Sequence, residues 1–310
     1  MYSTDQVRNN REKLKKQDAW AQSVAKKEFM KNVVVEERRY GPEERERLDL
    51  IYPKKRGTGR MPVLFYIHGG GWIAGRKEAR RIYCGKFAES GYFVVNIEYT
   101  LAPEAKFPTA VRECVNAADY ILDHAEEYGI DPDRIAVGGE SAGGYYAAFL
   151  TAIAKNKNIL QEIGLEPMRH TEFDVKACML NCAAVSFREM IRSGFPDAGL
   201  MVWAYTGFTP DEITRRESEE ALVKIEPITY MDQNFPPTLL IYGSLDSLRT
   251  NTFLLDQKMT ELGIPHRLYK STGIFYGQHT TTMILKSRRA FQVYDDVDGF
   301  LKEHLQVGAL

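Results

Sequence analysis

A serine lies between two glycines in the stretch Gly139-Glu140-Ser141-Ala142-Gly143. An apolar run ending at Val137 precedes it, and a helix-compatible stretch at 145–150 follows it. A serine on a strained turn from strand to helix holds its hydroxyl clear of the backbone, where the amino end of the helix favours developing negative charge. The pattern therefore predicts that Ser141 is a nucleophile.

A glycine-rich loop upstream of this serine offers a second chemical group. The stretch His68-Gly69-Gly70-Gly71-Trp72 follows an apolar strand predicted at 63–67. Glycines let backbone amides approach a substrate oxygen without a Cβ in the way, so the amides of such a loop can stabilise an oxyanion. Two independent motifs in this order predict acyl transfer to a serine, the chemistry of a serine hydrolase.

A serine nucleophile needs a base and an acid that orients the base, and with this type of turn they follow the serine in the order acid, then histidine. The apolar strand predicted at 238–242 runs through a short turn into Asp246. Asp232 and Asp256 are weaker candidates, because the first precedes that strand and the second lies on the next predicted helix. We predict Asp246 as the acid.

Six histidines are candidates for the base. His279 lies in a glycine-containing loop between the last predicted strand and the last predicted helix. The others fall in the glycine-rich loop, on helices or beside strands: His68, His124, His170, His266 and His304. We predict that His279 takes the proton of Ser141, that the serine attacks an ester carbonyl, and that water releases the acyl-enzyme. This chemistry needs no metal and no organic cofactor.

Strands and helices alternate along most of the chain, after two antiparallel strands predicted on either side of Gly41-Pro42. Such alternation predicts an α/β fold with a mostly parallel sheet, helices on both faces, and catalytic groups at the carboxyl ends of strands. The 310 residues, 44% of them hydrophobic, suffice for one such domain. We predict an amphipathic helix at 5–31 and a strand at 176–184 among its elements.

About fifty residues between the strands predicted at 176–184 and 238–242 exceed what a simple crossover needs. They contain several aromatic and large apolar residues: Phe187, Phe195, Met201, Trp203, Tyr205 and Phe208. An insertion of this kind on the active-site side can form a lid over the pocket. Alternatively, these side chains form a small core of the insertion itself.

The charges nearly balance, with 41 Lys and Arg against 42 Asp and Glu. A net charge of −1 offers no long-range attraction for nucleic acid or an anionic membrane, so the expected ligand is a small, mostly uncharged molecule. We find no signal-peptide pattern and no apolar run long enough to cross a bilayer, and therefore expect a cytoplasmic protein. A homodimer is kept as an open alternative for its assembly.

Four cysteines are too few for a disulfide scaffold in a chain of this length. Cys178 and Cys182 suggest a metal site, but both fall in the strand predicted at 176–184, where residues four apart would hold their sulfurs more than about 10 Å apart. We interpret them, together with Cys84 and Cys114, as core thiols.

The chain resembles the hormone-sensitive-lipase-like family of α/β-hydrolase carboxylesterases from about residue 48 to residue 305. The stretch at 68–72 is similar to the family's HGGG loop, and residues 99–104 to its Y-R-L-A-P-E segment. Residues 139–144 are similar to its serine-bearing elbow, and residues 236–246 to its acid-bearing strand. The resemblance implies an α/β-hydrolase fold and an oxyanion hole formed by the amides of three residues: Gly70, Gly71 and Ala142.

The resemblance also implies a helical cap made by the N-terminal segment 1–32 and an insertion at 186–223. The catalytic domain then comprises 33–185 and 224–310. The chain departs from the family at three places: Thr100 stands where arginine is usual, Ser247 where proline is usual, and Thr280 follows His279 on a longer loop where glycine is usual.

The predicted function is hydrolysis of short-chain acyl esters, with Trp72, Tyr145, Trp203 and Tyr205 as candidate substrate-binding residues. For Trp72, Tyr99 and Pro103 we favour packing over substrate contact. They would pack beneath the glycine-rich loop at 68–72, which is also called the oxyanion loop below. Lipase action is disfavoured, because no large apolar surface for a lipid interface is evident. An amidase or aryl-formamidase using the same three residues, and a non-catalytic small-molecule receptor on the same scaffold, remain alternatives.

Overall fold

An eight-stranded β-sheet forms the centre of the computed structural model, which describes residues 2–215 and 219–307. In chain order the strands are β1 (Val33–Arg39), β2 (Arg47–Pro53), β3 (Met61–Ile67), β4 (Phe93–Ile97), β5 (Ile130–Glu140), β6 (Ala177–Asn181), β7 (Thr238–Gly243) and β8 (His266–Ser271). The spatial order is β1-β2-β4-β3-β5-β6-β7-β8. β2 pairs antiparallel with β1 and β4, and the remaining pairs are parallel. The predicted mostly parallel sheet is confirmed.

The central strands are apolar along their whole length because helices cover both faces of the sheet. Every residue of β3 and β4 is buried. Alternate side chains of β3 enter opposite cores: Phe65 and Ile67 pack in one, and Leu64 and Tyr66 in the other.

The α-helices that pack around this sheet include two long ones at the ends of the chain. They are α1 (Thr4–Val24), α2 (Arg81–Glu89), α3 (Thr109–Asp123), α4 (Ala125–Tyr128), α5 (Ala142–Lys155), α6 (Asn158–Glu162), α7 (Phe187–Arg192), α8 (Ala198–Thr206), α9 (Pro210–Thr214), α10 (Glu219–Ile225), α11 (Arg249–Glu261) and α12 (Arg288–Leu305). The parallel strands β3, β5 and β7 end at one edge of the sheet, just before His68, Ser141 and Ser244. Loops that follow these strands therefore meet there.

Two predicted elements are shorter than expected. The helix predicted at 5–31 ends at Val24, because Ala25 is extended and the Lys26 N–H bonds to the carbonyl oxygen of Leu285 at 2.7 Å. The strand predicted at 176–184 ends at Asn181, because Cys182 has φ 50°, outside the extended region. Cys182 is nevertheless buried and free, as are the other three cysteines: Cys84, Cys114 and Cys178.

The two segments predicted as a cap contact one another. Asn10 on α1 donates to Asp197, at the start of α8, at 2.6 Å, and the rings of Tyr2 and Trp203 lie 5.8 Å apart. Residue 1 of the predicted segment 1–32 and residues 216–218 of the predicted insertion 186–223 lie outside the described residues. The division into a cap and a catalytic domain therefore stays a prediction. Among the helices of 2–215 and 219–307, none combines the length and apolarity needed to cross a membrane.

Candidate active site

Ser141 occupies a strained turn between β5 and α5. Its backbone has φ 55° and ψ −120°, which non-glycine residues rarely adopt. Close packing requires the flanking glycines: a Cβ on Gly139 would lie 2.4 Å from the Gly143 carbonyl oxygen, and a Cβ on Gly143 would lie 2.1 Å from that of Ile67. The turn holds the serine side chain at the amino end of α5.

Ser141, His279 and Asp246 form a continuous hydrogen-bonded series. His279 Nε2 lies 3.0 Å from Ser141 Oγ, and His279 Nδ1 lies 2.7 Å from Asp246 Oδ2. With Nδ1–H donating to the carboxylate, Nε2 is free to accept the serine proton. The rival acids lie elsewhere, since Asp256 pairs with His266 at 3.1 Å and Asp232 accepts from the backbone of Asn234.

Asp246 is held in its ionised form. Burial raises its pKa, but the facing His279 and hydrogen bonds from His279, the Leu248 N–H and the Cys182 thiol outweigh burial, so that its pKa lies below the usual range. The Leu248 N–H bond to Oδ1 is 2.9 Å long. Asp246 is thus a carboxylate at neutral pH, as an acid that orients the histidine must be.

The loop that carries His279 is anchored to the loop that carries Asp246. The Leu245 N–H donates to the Gly277 carbonyl oxygen at 2.7 Å, and the Thr281 hydroxyl donates to that of Phe275 at 2.8 Å. Thr280 has φ 55°, which turns the chain directly after the histidine. The loop is longer than the family pattern, and these bonds still place the imidazole against Ser141.

The glycine-rich loop runs beside Ser141. Gly70 and Gly71 have φ 132° and 60°, and a Cβ on Gly70 would lie 2.1 Å from the carbonyl oxygen of Ala74. The loop is held from behind, because the Gly69 N–H donates to Glu140 Oε1 at 2.6 Å. Ala142 begins α5, so its N–H has no partner within that helix.

A family model described as BD-FAE matches residues 48–252, which is 205 of the 310 residues. The chain belongs to the BD-FAE family. This family match, with the esterase relatives below, confirms the predicted relationship to the hormone-sensitive-lipase-like carboxylesterases.

Relatives of this BD-FAE family member are α/β hydrolases and esterases. An α/β hydrolase of Acanthamoeba polyphaga mimivirus is 27% identical over 265 residues, 83% of this chain and 70% of the relative. An arylesterase of Saccharolobus solfataricus is 30% identical over 213 residues, 68% of this chain and 66% of the relative. The structure of a bacterial heroin esterase matches with a TM-score of 0.78 and 27% identity, covering 97% of this chain and 92% of the other. The protein is an α/β hydrolase and a carboxylic ester hydrolase.

A cavity of about 610 Å³ opens above Ser141 in this BD-FAE family member. Gly70, Gly71 and His279 line its floor with the serine. Phe195 and Met201 of the predicted insertion line it from above, and the Phe195 ring lies 4.8 Å from the His279 ring, edge to face. Helix α1 forms a further wall through a set of mostly polar residues: Asn10, Lys13, Leu14, Gln17, Asp18 and Ala21.

The four candidate substrate-binding residues do not line this cavity. Trp72, Tyr145 and Tyr205 are fully buried, and the Trp72 ring lies 5.6 Å from that of Tyr145 and 5.4 Å from that of Tyr205. Trp203 packs against Tyr2 on α1. The prediction of substrate contact is corrected accordingly: Trp72, Tyr145 and Tyr205 form a core beneath the glycine-rich loop, where mutual burial stabilises them more than solvent exposure would, and Trp203 is half-buried at the contact with α1.

Cys182 adds a thiol to the three side chains. One ligand-type atom each from Cys182, Asp246 and His279 lies within 4.8 Å of the others. Burial raises the pKa of the Cys182 thiol, and the neighbouring Asp246 carboxylate raises it further. The sulfur is therefore a protonated thiol, which donates to Asn181 Oδ1 at 3.4 Å, rather than the thiolate that binds zinc.

Replacing Gly70 is expected to lower turnover strongly. In Gly70→Ala the new Cβ meets the Ala74 backbone and the positive φ disfavours any side chain, so the loop must shift. Loss of one oxyanion donor typically lowers kcat by about 10² to 10³. Steady-state kinetics and thermal unfolding measure the two effects. Gly57→Ala, whose new Cβ would have no atom of the described residues within 4 Å, is the matched control. A folded Gly70→Ala protein with unchanged kcat would exclude the loop from the site.

Proposed function

We propose that this protein hydrolyses short-chain acyl esters through an acyl-enzyme formed on Ser141. The observation that carries the proposal is the hydrogen-bonded series from Asp246 through His279 to Ser141, which ends in the cavity beside Gly70 and Gly71. The substrate is a small-molecule ester. The homodimer and the cytoplasmic location stay predictions.

In the first step, His279 accepts the proton of Ser141 as the serine oxygen attacks the ester carbonyl. The amides of Gly70, Gly71 and Ala142 stabilise the resulting oxyanion, and the positive end of α5 favours the same charge. His279 then protonates the departing alcohol. In the second step, His279 activates water, which releases the acid and restores the serine.

The cavity supports a preference for small acyl groups. Behind the glycines that line it, the buried aromatic core that includes Trp72 and Tyr145 fills the space, so the cavity does not extend in that direction. Phe195, whose ring lies 4.8 Å from that of His279, and Met201, which packs against Gly71, narrow the cavity on the side of the insertion. We propose acyl chains of about two to six carbons, within the size of site that binds small ligands.

A series of p-nitrophenyl esters from acetyl to palmitoyl, with an aryl formamide beside them, tests this function. We expect kcat/KM to be highest with acyl chains of about two to six carbons and to fall beyond them, because longer chains cannot be buried in the cavity. A steady increase to palmitoyl would contradict the size preference. Faster cleavage of the formamide would identify an aryl-formamidase, and absence of any hydrolysis would favour a receptor.

A further inference from the structure

An ion pair between Asp18 and Arg80 joins helix α1 to the residues around Ser141. Asp18, which faces the cavity, accepts a hydrogen bond at 2.8 Å from Nη1 of Arg80. Both side chains are mostly buried, with 21% and 13% of their surface exposed. Helix α1 also contacts the insertion, through the bond from Asn10 to Asp197, and the segment after the glycine-rich loop, through the bond from Arg11 Nε to the carbonyl oxygen of Ile73.

Arg80 extends this contact to the residue that precedes the nucleophile. Its Nε donates to Glu140 Oε1 at 2.5 Å. The same carboxylate oxygen accepts the Gly69 N–H at 2.6 Å, and Glu140 Oε2 accepts the Tyr66 hydroxyl at 2.7 Å. Glu140 is 1% exposed, so Arg80 provides the cation that a buried carboxylate requires.

We propose that Arg80 is a positioning residue that couples helix α1 to the oxyanion loop through Glu140. The inference rests on the proposed function and goes beyond it. Different edges of the guanidinium contact Asp18 and Glu140, a geometry that a lysine ammonium cannot reproduce. With Arg80 in place, Glu140 keeps both oxygens as acceptors and holds the Gly69 N–H, so the next amides in the loop face the substrate oxygen.

Removing the cation should affect turnover more than substrate binding. In Arg80→Met the aliphatic packing persists, but the buried Glu140 carboxylate loses its cation, and its hold on the Gly69 N–H loosens. A displacement of about 1 Å at a reacting centre can lower the rate by about 10²-fold. We expect kcat to fall about 10- to 100-fold in Arg80→Met, with KM changed less than about threefold.

A trifluoromethyl ketone, which forms an oxyanion adduct with a serine, separates positioning from a merely structural role. Its inhibition constant should rise in Arg80→Met by about the same factor as kcat falls, because both depend on the oxyanion amides. Arg80→Lys should recover part of both losses, because it restores the charge without the second contact. Unchanged kcat and inhibition constant in folded Arg80→Met would overturn the proposal.

A double-mutant cycle with Asp18→Asn tests the coupling to α1. We expect Asp18→Asn to lower kcat about threefold or more alone and to have little effect in the Arg80→Met background, because the two residues act through one path. Independent, additive effects would overturn the coupling. Asp5→Asn, which removes an exposed acid paired with Arg8 on the same helix, is the matched control.

Thermal unfolding of the variants and the activity of the wild-type protein distinguish a misfolded variant, a failed proposal for Arg80 and a failed proposed function. If thermal unfolding shows that Arg80→Met does not fold, Asp18→Asn decides, and wild-type values of kcat and of the inhibition constant in that variant overturn the proposal. If the wild-type protein neither hydrolyses the esters nor binds the ketone, the proposed function itself fails. An active wild type with insensitive variants rejects only the role of Arg80.

Discussion

Ser141→Ala is expected to abolish ester hydrolysis and covalent labelling by a fluorophosphonate probe. The strained turn presents the hydroxyl of this serine to His279 Nε2 at 3.0 Å, in a cavity large enough for a small ester. Removing a serine nucleophile of this type lowers kcat by about 10⁶-fold in a well-studied protease. Substitution by alanine leaves the turn and the oxyanion loop in place, so binding of uncleaved substrate should survive.

Mass spectrometry of the labelled protein provides the direct measurement. We expect the probe on the peptide that contains Ser141 and on no peptide of Ser141→Ala. Ser23→Ala is the matched control, because the Ser23 hydroxyl is exposed and donates to the backbone of Trp20. Labelling of another peptide, together with surviving esterase activity in Ser141→Ala, would assign the nucleophile elsewhere.

His279→Ala and Asp246→Asn are each expected to lower kcat by about 10³-fold or more. Without the imidazole, no other base among residues 2–215 and 219–307 is in hydrogen-bonding contact with Ser141 Oγ to accept its proton. An amide at position 246 carries no charge, so it is a weaker acceptor for the Nδ1–H of His279 than the carboxylate is. The His279 tautomer that leaves Nε2 free to accept a proton is then less stabilised. The double variant should be little worse than the worse single variant, because the three residues act as a unit.

His266→Ala and Asp256→Asn are the matched controls for this pair. They remove another histidine–aspartate contact, 3.1 Å long, at the start of β8 and on α11. Steady-state kinetics should show near-normal turnover for both. If His279→Ala kept normal turnover while His266→Ala lost it, the base would have to be reassigned to His266.

The three side chains predicted from the sequence lie in hydrogen-bonding contact, and local constraints explain why. Ser141 is recognisable because its turn needs glycines at fixed positions on either side. Asp246 and His279 are recognisable because parallel strands end at one edge of the sheet, so the loops after β7 and β8 must converge near the end of β5. Their catalytic roles stay predictions until the variants are measured.

The aromatic residues were predicted less well, for a physical reason. A tyrosine that faces a pocket and one that packs in a core have the same sequence signature, because both occupy apolar positions of a helix. Tyr145 and Tyr205 are covered by Trp72 and by one another, although they are far apart in sequence. Their burial depends on how α8 lies on α5, which no local pattern specifies.

The sequence by itself determined the α/β fold, the order of strands and helices, and the side chains that meet at the carboxyl edge of the sheet. These features follow from periodicity, turn chemistry and spacing, which act over short stretches of chain. Only the tertiary structure decided that the bond between Leu245 and Gly277 positions His279, and that Asp18, Arg80 and Glu140 connect α1 to the oxyanion loop. Contacts between residues so far apart in the sequence depend on the packing of whole elements, and packing is a property of the folded chain.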